Sequence, residues 1–253
     1  MTLRFSVVDF LNARPLIWGL LENPPPGIEV SRDVPSACAD KLASGAADVG
    51  LIPSIEYQRI PGLRVVAGLG IAAASEVRSV LLVSDVSREK IRSVALDPAS
   101  RTSAVLTRLL LKRRYGIDPE FRDGGAADAS LVIGDPALKT RLNGRVVLDL
   151  AAEWRAFAGH PFVFAFWAVR PGVDAGEVGR IVRESYAAGQ RSFPRLVASE
   201  AAASGLSEAV VEDYLRHSLH YELDAGDLDG LELFYRLAAD ERLIPAARPL
   251  EFA

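Results

Sequence analysis

Along its first two thirds the chain alternates short apolar runs with longer amphipathic segments. Runs such as "ADVGLI" (47–52) and "SVAL" (93–96) have the length and composition of strands, and apolar side chains recur at helical spacing in the segments between them. Strands that are regularly separated by helices predict parallel α/β layers. From residue 174 onward the pattern changes to four successive helical segments with no strand between them, which predicts a helical C-terminal region.

The stretch "ALDPASRTS" (95–103) joins one of these strands to a helix. The chain turns at Asp97-Pro98, and "AVLTRLLLKRRYG" then carries apolar side chains at helical spacing as far as Gly116. Four consecutive hydrogen-bond donors lie at this helix N-terminus, namely Ser100, Arg101, Thr102 and Ser103. Free backbone N–H groups and the helix dipole favour an anion there. One hydroxyl would serve only as an N-cap, whereas four donors favour a bound carboxylate or phosphate.

Three further polar loops follow predicted strands. They contain Asn12 in "DFLNARP", Ser54 in "IPS" and Asp135 in "GDPA". Open α/β sheets bind ligands at the carboxyl ends of their strands. Because two of the four loops belong to each half of the α/β region, we predict one ligand cleft between two lobes. The local alternatives are a turn or N-cap role for Asn12 and an N-cap role for Asp135.

The composition is that of an ordinary globular protein, and it narrows the possible partners. The 253 residues are 49% hydrophobic and 25% charged, and the formal net charge of −4 argues against a general nucleic-acid binder. No apolar run approaches the length of about 18 residues that a membrane span needs. The first residues fit neither a secretory nor a transit signal, so we expect a cytoplasmic protein. The single cysteine, Cys38, lies in a predicted helix and is expected to be a small buried hydrophobe.

The sequence offers little support for metal or cofactor chemistry. His217 and His220 are spaced as two metal ligands on one helix face, but no third ligand motif lies nearby. We therefore expect a structural or solvated role for both. No Gly-rich phosphate loop, Ser-His-Asp pattern or Cys-His cluster is present in the sequence. The prediction is a protein without metal and without cofactor.

Six stretches of the sequence form a recognisable set of motifs. They are "VDFLNARPL", "LASGAADVGLIPSIEY", "EVRSVLLVS", "ALDPASRTSAVLTRLLL", "VIGDPAL" and "HPFVFAFWAVR", spanning roughly residues 5–170. Together they resemble the chorismate dehydratases of the futalosine route to menaquinone. The combination of "G..DVGLIPS.EY" with "LD..SRTS" is fairly specific, whereas either motif alone is weak. The chain has Asp9-Phe10 where the family pattern has a small residue and tyrosine before "LNA", but Asn12 is kept.

The resemblance implies the two-lobed fold of type 2 periplasmic binding proteins, here used by an enzyme. Two strands cross between the lobes in such a fold and permit closure on a ligand. We assign the crossings to "SVLLVS" (79–84) and "FVFAFWAVR" (162–170). Residues 1–83 and 171–253 then form a discontinuous first lobe, residues 84–170 form the second, and the ligand cleft lies between them.

The resemblance also implies an activity, that of a cofactor-independent lyase. Such an enzyme removes water from chorismate, a small dicarboxylate, and releases 3-[(1-carboxyvinyl)oxy]benzoate. Two alternatives stay open: a solute-binding protein with the same cleft, and a naphthoate synthase of the same pathway and fold. The expected histidine-bearing counterpart and aspartate-rich first loop of that synthase are missing here. The sequence does not predict the oligomeric state.

Roles for the polar residues follow from this resemblance. Asn12 is the catalytic candidate, because its amide can donate and accept hydrogen bonds to the reacting part of the substrate. The donors at 100–103 suit one carboxylate. Ser54, Arg78 and Ser79 are expected to bind the other carboxylate or the hydroxyl of the substrate. Asp135 is expected to orient a hydroxyl or Arg101. For Arg78 the alternative is a solvated surface charge. No general base stands out, so a carboxylate of the substrate is the expected proton acceptor.

Overall fold

The structure is a computed structural model that describes residues 2–142 and 144–252, and its strands form two sheets. The first sheet contains β1 (Leu3–Val8), β2 (Ile28–Asp33), β3 (Val49–Pro53), β4 (Arg64–Ala73), β10 (Phe162–Val169) and β11 (His220–Glu222). The second contains β5 (Val80–Ser84), β6 (Ser93–Leu96), β7 (Glu120–Asp123), β8 (Ala129–Ile133) and β9 (Val146–Asp149). The α-helices of the described residues are α1 (Arg14–Glu22), α2 (Pro35–Ser44), α3 (Glu56–Arg59), α4 (Arg101–Arg113), α5 (Asp135–Lys139), α6 (Leu150–Ala158), α7 (Ala175–Arg191), α8 (Phe193–Ser204), α9 (Glu208–Asp213) and α10 (Ala225–Asp240).

The two sheets confirm the predicted α/β class and its two lobes. The first sheet has the order β11-β4-β10-β3-β1-β2, and the second has the order β7-β6-β8-β5-β9. We call the first sheet with its helices the first lobe, and residues 80–158 the second lobe. Each sheet contains parallel strands, but β10 runs antiparallel to β3 and β4, and β5 runs antiparallel to β8 and β9. The sheets are therefore mixed rather than purely parallel.

The positions where the chain crosses between the lobes differ from the predicted ones. β5 belongs entirely to the second sheet and β10 entirely to the first, so the boundaries predicted at 83/84 and 170/171 are corrected by one strand each. The crossings are residues 74–79 and 159–161. Apolar runs such as β10, all of whose residues are buried, need strand partners on both sides. Short polar segments, by contrast, can pass between sheets.

Two strands, β7 and β11, were not predicted from the sequence. The segment "SEAVVEDYLRHSLHYEL", predicted as a single helix, instead continues from α9 into a π-helical turn (Tyr214–Ser218) and ends in β11, which pairs with the edge of β4. The other missed strand, β7, is a polar edge strand with no apolar run. The predicted C-terminal region without strands is therefore wrong at 220–222, although its helices are present. Short edge strands carry little periodic signal, because one side of the strand is open to solvent.

The fold bears on the predicted role of Cys38 and on the prediction that the chain has no membrane span. Cys38 lies in α2 and is fully buried, and this burial raises the pKa of its thiol to about 12. The expectation of a small buried hydrophobe is confirmed. As for membrane spans, none of the helices in the described part of the chain combines the length and the apolar character needed to cross a bilayer.

The long helix α7 packs directly on α1. Ser185 of α7 bonds the α1 backbone twice, since its Oγ accepts from Leu20 N at 3.1 Å and donates to Leu16 O at 2.8 Å. One turn further, Gly189 lies so close to α1 that a Cβ there would overlap the carbonyl oxygen of Pro15. The absence of a side chain at Gly189 therefore fixes the distance between the two helices. Because α1 follows the loop that carries Asn12, this contact also supports the first-lobe side of the cleft.

We expect Gly189→Ala to lower the free energy of unfolding by about 1–3 kcal/mol, because the methyl group overpacks the α1–α7 contact. An unconstrained glycine in a helix would give the opposite sign, a gain of up to about 1 kcal/mol. Urea denaturation measures the difference. Gly179→Ala in the same helix is the control, since only the flexible guanidinium of Arg183 approaches that position. Increased stability of Gly189→Ala would contradict the close packing.

Candidate functional site

A cavity lies between the two lobes. The first lobe contributes residues from β1, β3, β4 and β10 and from the turn after β1, and the second contributes the start of β5, the end of β8 and the N-terminus of α4. Most of the wall is apolar, with Phe10, Ile71 and Phe164 among its larger side chains. The polar side chains that line it are Asn12, Ser100, Arg101, Thr102 and Ser103. Five of the nine predicted site residues are thus brought together here.

Ser100 occupies the N-cap position of α4 without acting as a cap. Its backbone is non-helical, yet its hydroxyl makes no capping hydrogen bond to the helix. Elsewhere in the chain, Asp149 and Asp174 do cap their helices through their side chains. The alternative role of Ser100 as a simple N-cap is therefore wrong. Ser100 and Ser103 are each less than a tenth exposed and both line the cavity, where they can donate to an anion beside the free N–H groups of α4.

Thr102 and Ser54 meet at the junction of the lobes. Thr102 Oγ1 accepts from the backbone N of Ile55 at 3.2 Å and lies 3.5 Å from Ser54 Oγ. Ser54 itself is fully buried behind the cavity wall and donates to the carbonyl oxygen of Val163 at 2.8 Å. The sequence predicted that Ser54 binds the ligand, but the structure places its side chain outside the cavity. Its hydroxyl joins β3 to β10 instead, and Thr102 extends that contact to the second lobe.

Asn12 lies in a short 3₁₀ turn (Leu11–Ala13) directly after β1. Its side chain lines the cavity, and its carbonyl oxygen Oδ1 is buried without a hydrogen-bond partner among the described residues. A buried amide oxygen without a partner is costly, of the order of 1–3 kcal/mol, unless a ligand or water satisfies it. Asn12 therefore contributes to the cavity wall an amide whose buried oxygen has no hydrogen-bond partner among the described residues.

Asp135 holds the turn that carries Asn12. Its Oδ1 accepts from the backbone N of Leu11 at 2.9 Å, across the cleft. The preceding Gly134 has a φ of +64°, and a Cβ there would lie 3.0 Å from the ring of Phe10. Asp135 does not hydrogen-bond Arg101, whose guanidinium binds Glu56 and Asp40, and the N-cap of α5 is Gly134 rather than Asp135. Its carboxylate instead keeps the first-lobe turn against the second lobe. Its predicted role in orienting a substrate hydroxyl stays a prediction.

Arg78 and Ser79 lie in the first crossing, outside the cavity wall. Arg78 has a φ of +60°, its Nε donates to Ser218 Oγ at 2.8 Å, and its Nη2 lies 2.8 Å from Asp213 Oδ2. Ser79 is fully buried and accepts from the hydroxyl of Tyr214 at 2.6 Å. Arg78 and Ser79, which were predicted to bind the substrate, thus contact residues of the C-terminal helical region instead. The next residue, Val80, is the first of this segment to line the cavity.

The guanidinium of Arg101 is bound to two carboxylates of the first lobe. Nη1 donates to Glu56 Oε2 at 2.9 Å, and Nη2 donates to Asp40 Oδ1 at 2.8 Å. The cavity wall holds no carboxylate, imidazole, amine, thiol or phenol among the described residues. Apart from this paired guanidinium, the polar groups that face a ligand are neutral.

The two candidate histidines face other partners. His217 is exposed and its Nδ1 lies 3.0 Å from Asp213 Oδ1, whereas His220 Nε2 lies 2.8 Å from the buried Asp227 Oδ1. Neither lines the cavity. Within residues 2–142 and 144–252, no three metal-ligating side chains of the His, Cys, Asp and Glu types form a cluster. Each histidine thus pairs with one carboxylate.

Comparison with known proteins places this cleft in a family. A sequence model described as menaquinone biosynthesis matches residues 3–240, which is nearly the whole chain. The chain belongs to this menaquinone biosynthesis family. The match extends through the C-terminal helices, beyond the motifs that the sequence resemblance used.

Relatives with a described activity support the same assignment. The chorismate dehydratase of Thermus thermophilus is 29% identical over 234 residues, covering 82% of this chain and 86% of that protein. The chorismate dehydratase of Campylobacter jejuni is 34% identical over 167 residues, covering 64% of this chain and 65% of that protein. This menaquinone biosynthesis protein is therefore similar to enzymes that act on one small molecule.

Solved structures establish the fold. A protein from Archaeoglobus fulgidus superposes with a TM-score of 0.78 at 17% identity, covering 96% of this chain and 98% of that one. The periplasmic aliphatic sulphonate binding protein SsuA from Escherichia coli has a TM-score of 0.63 at 19% identity, covering 100% and 94%. At such identities the likeness concerns the fold alone. The expected two-lobed binding-protein fold of this family member is confirmed.

Several contributors to the site were not found from the sequence. Asp149 accepts from the backbone N of Val77 at 3.0 Å and of Arg78 at 2.6 Å, and also caps α6. Burial is the main cause of the raised pKa of its carboxyl. An acidic residue directly before "LAAEW" is a helix-start signal, but it gives no hint of the crossing. Tyr214 had no local signal, because its partner Ser79 is distant in sequence.

We expect Ser100→Ala to change the free energy of unfolding by less than about 0.5 kcal/mol, because this hydroxyl caps nothing. Asp174→Ala is the matched comparison, since Asp174 caps α7 by accepting from Gly176 N at 3.0 Å and Glu177 N at 3.1 Å. That variant should lose about 1 kcal/mol. Urea denaturation of both variants measures the difference. Equal losses would show that Ser100 is a structural cap after all.

Proposed function

We propose that this chain is a chorismate dehydratase, which removes water from chorismate to give 3-[(1-carboxyvinyl)oxy]benzoate in menaquinone biosynthesis. The observation that carries the proposal is the family match over residues 3–240, together with two relatives that both bear this activity. The likeness to a sulphonate binding protein concerns the fold alone and does not favour a transport role. Both relatives are chorismate dehydratases, which also favours the dehydratase over the naphthoate synthase.

The reaction is an elimination that conserves all atoms as product plus water. Chorismate is a cyclohexadiene with two carboxylates. Its ring hydroxyl and its enolpyruvyl ether are on neighbouring ring carbons. The ring carbon that bears the ether loses its proton, and the electron pair of that C–H bond forms the new ring double bond. The neighbouring C–O bond breaks, and the hydroxyl leaves with a proton as water. No oxidant or reductant is needed, and the aromatic product supplies the driving force.

The cleft provides an anion site and an apolar wall for this substrate. One carboxylate binds at the N-terminus of α4, where the hydroxyls of Ser100 and Ser103 and the free backbone N–H groups can donate to it. The ring packs against the apolar wall formed by Phe10, Ile71 and Phe164. Neutral donors bind a dianion without placing a competing base beside it. Closure of the lobes keeps water away from the reacting ring.

Asn12 contacts the part of the substrate where bonds change. Its amide oxygen is buried and unpartnered among the described residues, so a substrate hydroxyl satisfies it on binding. Its amide N–H₂ can donate to the leaving oxygen or to the enolpyruvyl group. Because an amide does not titrate, the contact is the same over the whole range of working pH. Asp135 keeps the Asn12 turn in place through Leu11.

The proton acceptor in this mechanism is a carboxylate of chorismate itself. The described residues that line the cavity include no Asp, Glu, His, Lys, Cys or Tyr side chain. A base supplied by the protein would have to come within about 3 Å of the ring proton or act through one water. The enolpyruvyl carboxylate is attached next to that proton and needs no protein group to bring it there. The protein then positions the substrate and excludes solvent.

Protein stripped of metal by exhaustive chelation and dialysis should convert chorismate at an undiminished rate, because no described residue set forms a metal site and the elimination needs none. Disappearance of chorismate and appearance of the aromatic product are followed by liquid chromatography and proton NMR. Activity that returns only when a divalent ion is added would contradict cofactor independence. Failure to form the product under either condition would overturn the proposed function.

Asn12→Ala should lower kcat by about two to three orders of magnitude, the loss of a few kcal/mol of transition-state stabilisation. Asn12→Asp keeps the shape but puts a negative charge beside a dianion, so it should impair turnover as well. Both variants are expected to melt near the wild-type temperature. The control is Asn23→Ala at the exposed C-terminal end of α1, outside the cleft. Near-normal turnover by Asn12→Ala would remove this residue from the mechanism.

A further inference from the structure

Arg101 lines the cleft, but its guanidinium reaches across to the first lobe. Nη1 donates to Glu56 Oε2 at 2.9 Å, and Nη2 donates to both oxygens of Asp40, at 2.8 Å and 2.9 Å. Arg101 begins α4 in the second lobe, whereas Asp40 lies on α2 and Glu56 begins α3. One side chain thus connects the helix terminus that faces the ligand to two separate helices of the opposite lobe.

The two carboxylates differ in their surroundings. The Glu56 side chain is only 4% exposed, and it also accepts from Arg59 Nη1 at 2.8 Å. The Asp40 side chain is 64% exposed and lies at the outer end of the bridge. The contact with Glu56 is therefore shielded from water and salt, and the contact with Asp40 is open to both.

The four charges at this bridge balance one another. Arg101 and Arg59 supply two positive charges, and Glu56 and Asp40 supply two negative ones. The cleft consequently gains no net positive charge from Arg101, although this is the cationic side chain in its described wall. An approaching dianion would have to break the contact with Asp40 or Glu56 before it could pair with this guanidinium.

The bridge lies beside other contacts between the lobes. Thr102, the next residue, accepts from Ile55 N, and Ile55 immediately precedes Glu56. Residues 101–102 and residues 55–56 therefore meet side by side. On the far side of the cleft, Asp135 accepts from Leu11 N. Contacts at both sides hold the lobes together. Arg101 makes an ionic contact at the N-terminus of α4, and Lys112 and Arg113 in its last turn pair with Glu241 at the end of α10.

We propose that Arg101 is a positioning residue that holds the N-terminus of α4 against the first lobe through Glu56 and Asp40, and that it does not bind a substrate carboxylate. Its effect reaches the ligand through Ser100 and Ser103, which Arg101 keeps over the cavity. The kinetic part of this proposal rests on the proposed function. The sequence-based assignment of Arg101 as a substrate ligand is the rival explanation.

Replacement of Asp40 separates the two explanations by the sign of its effect. If Arg101 holds the lobes together, Asp40→Asn weakens closure and raises KM for chorismate by about two- to fivefold, the range of an exposed ion pair, while kcat stays within about twofold. If Arg101 must leave Asp40 to bind the substrate, Asp40→Asn removes a competitor and lowers KM. A lower or an unchanged KM therefore overturns the proposal.

Asp85→Asn is the matched control. The Asp85 side chain is also 64% exposed and pairs with Arg145 at 2.8 Å, but both residues lie in the second lobe. The same charge is removed at the same exposure without affecting a contact between lobes, so KM should not change. Asp40→Asn should also add nothing to the effect of Arg101→Met, because the pair acts as a unit. Additive effects of the two changes would overturn the proposal.

Small-angle X-ray scattering without substrate tests the same bridge independently of activity. Arg101→Met should have a larger radius of gyration than the wild type, with Asp40→Asn between them and Asp85→Asn equal to the wild type. Thermal melting of each variant verifies that it is folded. Identical scattering by all four proteins overturns the proposal. If the wild type fails to convert chorismate but the scattering differs as expected, the proposed function fails and the role of Arg101 in closure stands.

Discussion

The half-buried carboxylate of Asp149 joins the first crossing between the lobes to the start of α6. It accepts the N–H groups of Val77 and Arg78 in the first crossing, and it caps α6, the helix that leads to the second. Burial raises the pKa of this carboxyl, so its negative charge is costly there, and the backbone donors offset part of that cost. Arg78 also adopts a φ of +60°, which costs a non-glycine residue about 1–3 kcal/mol unless its surroundings impose it. One carboxylate thus holds both the backbone of the first crossing and the first turn of α6.

The chemistry of the cleft is set by its side chains and not by the fold. Its two lobes superpose on those of a sulphonate binding protein, so the fold itself does not determine the chemistry. What distinguishes the cleft is the set of groups that face the ligand. They are a helix N-terminus with uncommitted hydroxyls, an apolar wall and one amide with a free acceptor. Such a site favours an anionic, partly apolar molecule, and the described residues that line it include no Asp, Glu, His, Lys, Cys or Tyr side chain.

The sequence predicted the positions in the site that depend on local order. Asn12 and the residues 100–103 follow strands and precede helices, and this order alone places them at the carboxyl edge of a sheet. It could not predict their partners. Arg101 meets residues 45 and 61 positions away, and Asp135 meets one 124 positions away, so no local pattern records those contacts. The crossings were misplaced for a related reason: an apolar run indicates a strand but not the sheet to which it belongs.

The central position of β10 imposes an order on folding during synthesis. The strands β3 and β4 are consecutive in the chain, yet β10 lies between them, and the last described residues add a bridge from Phe252 to Val65. When Asp149 leaves the ribosome, the second sheet has all its strands, whereas the first consists of two fragments with unpaired edges. Such edges favour aggregation until they are covered. The cleft is thus completed only after β10 has been made, although Asn12 at its wall precedes β10 in the chain by about 150 residues.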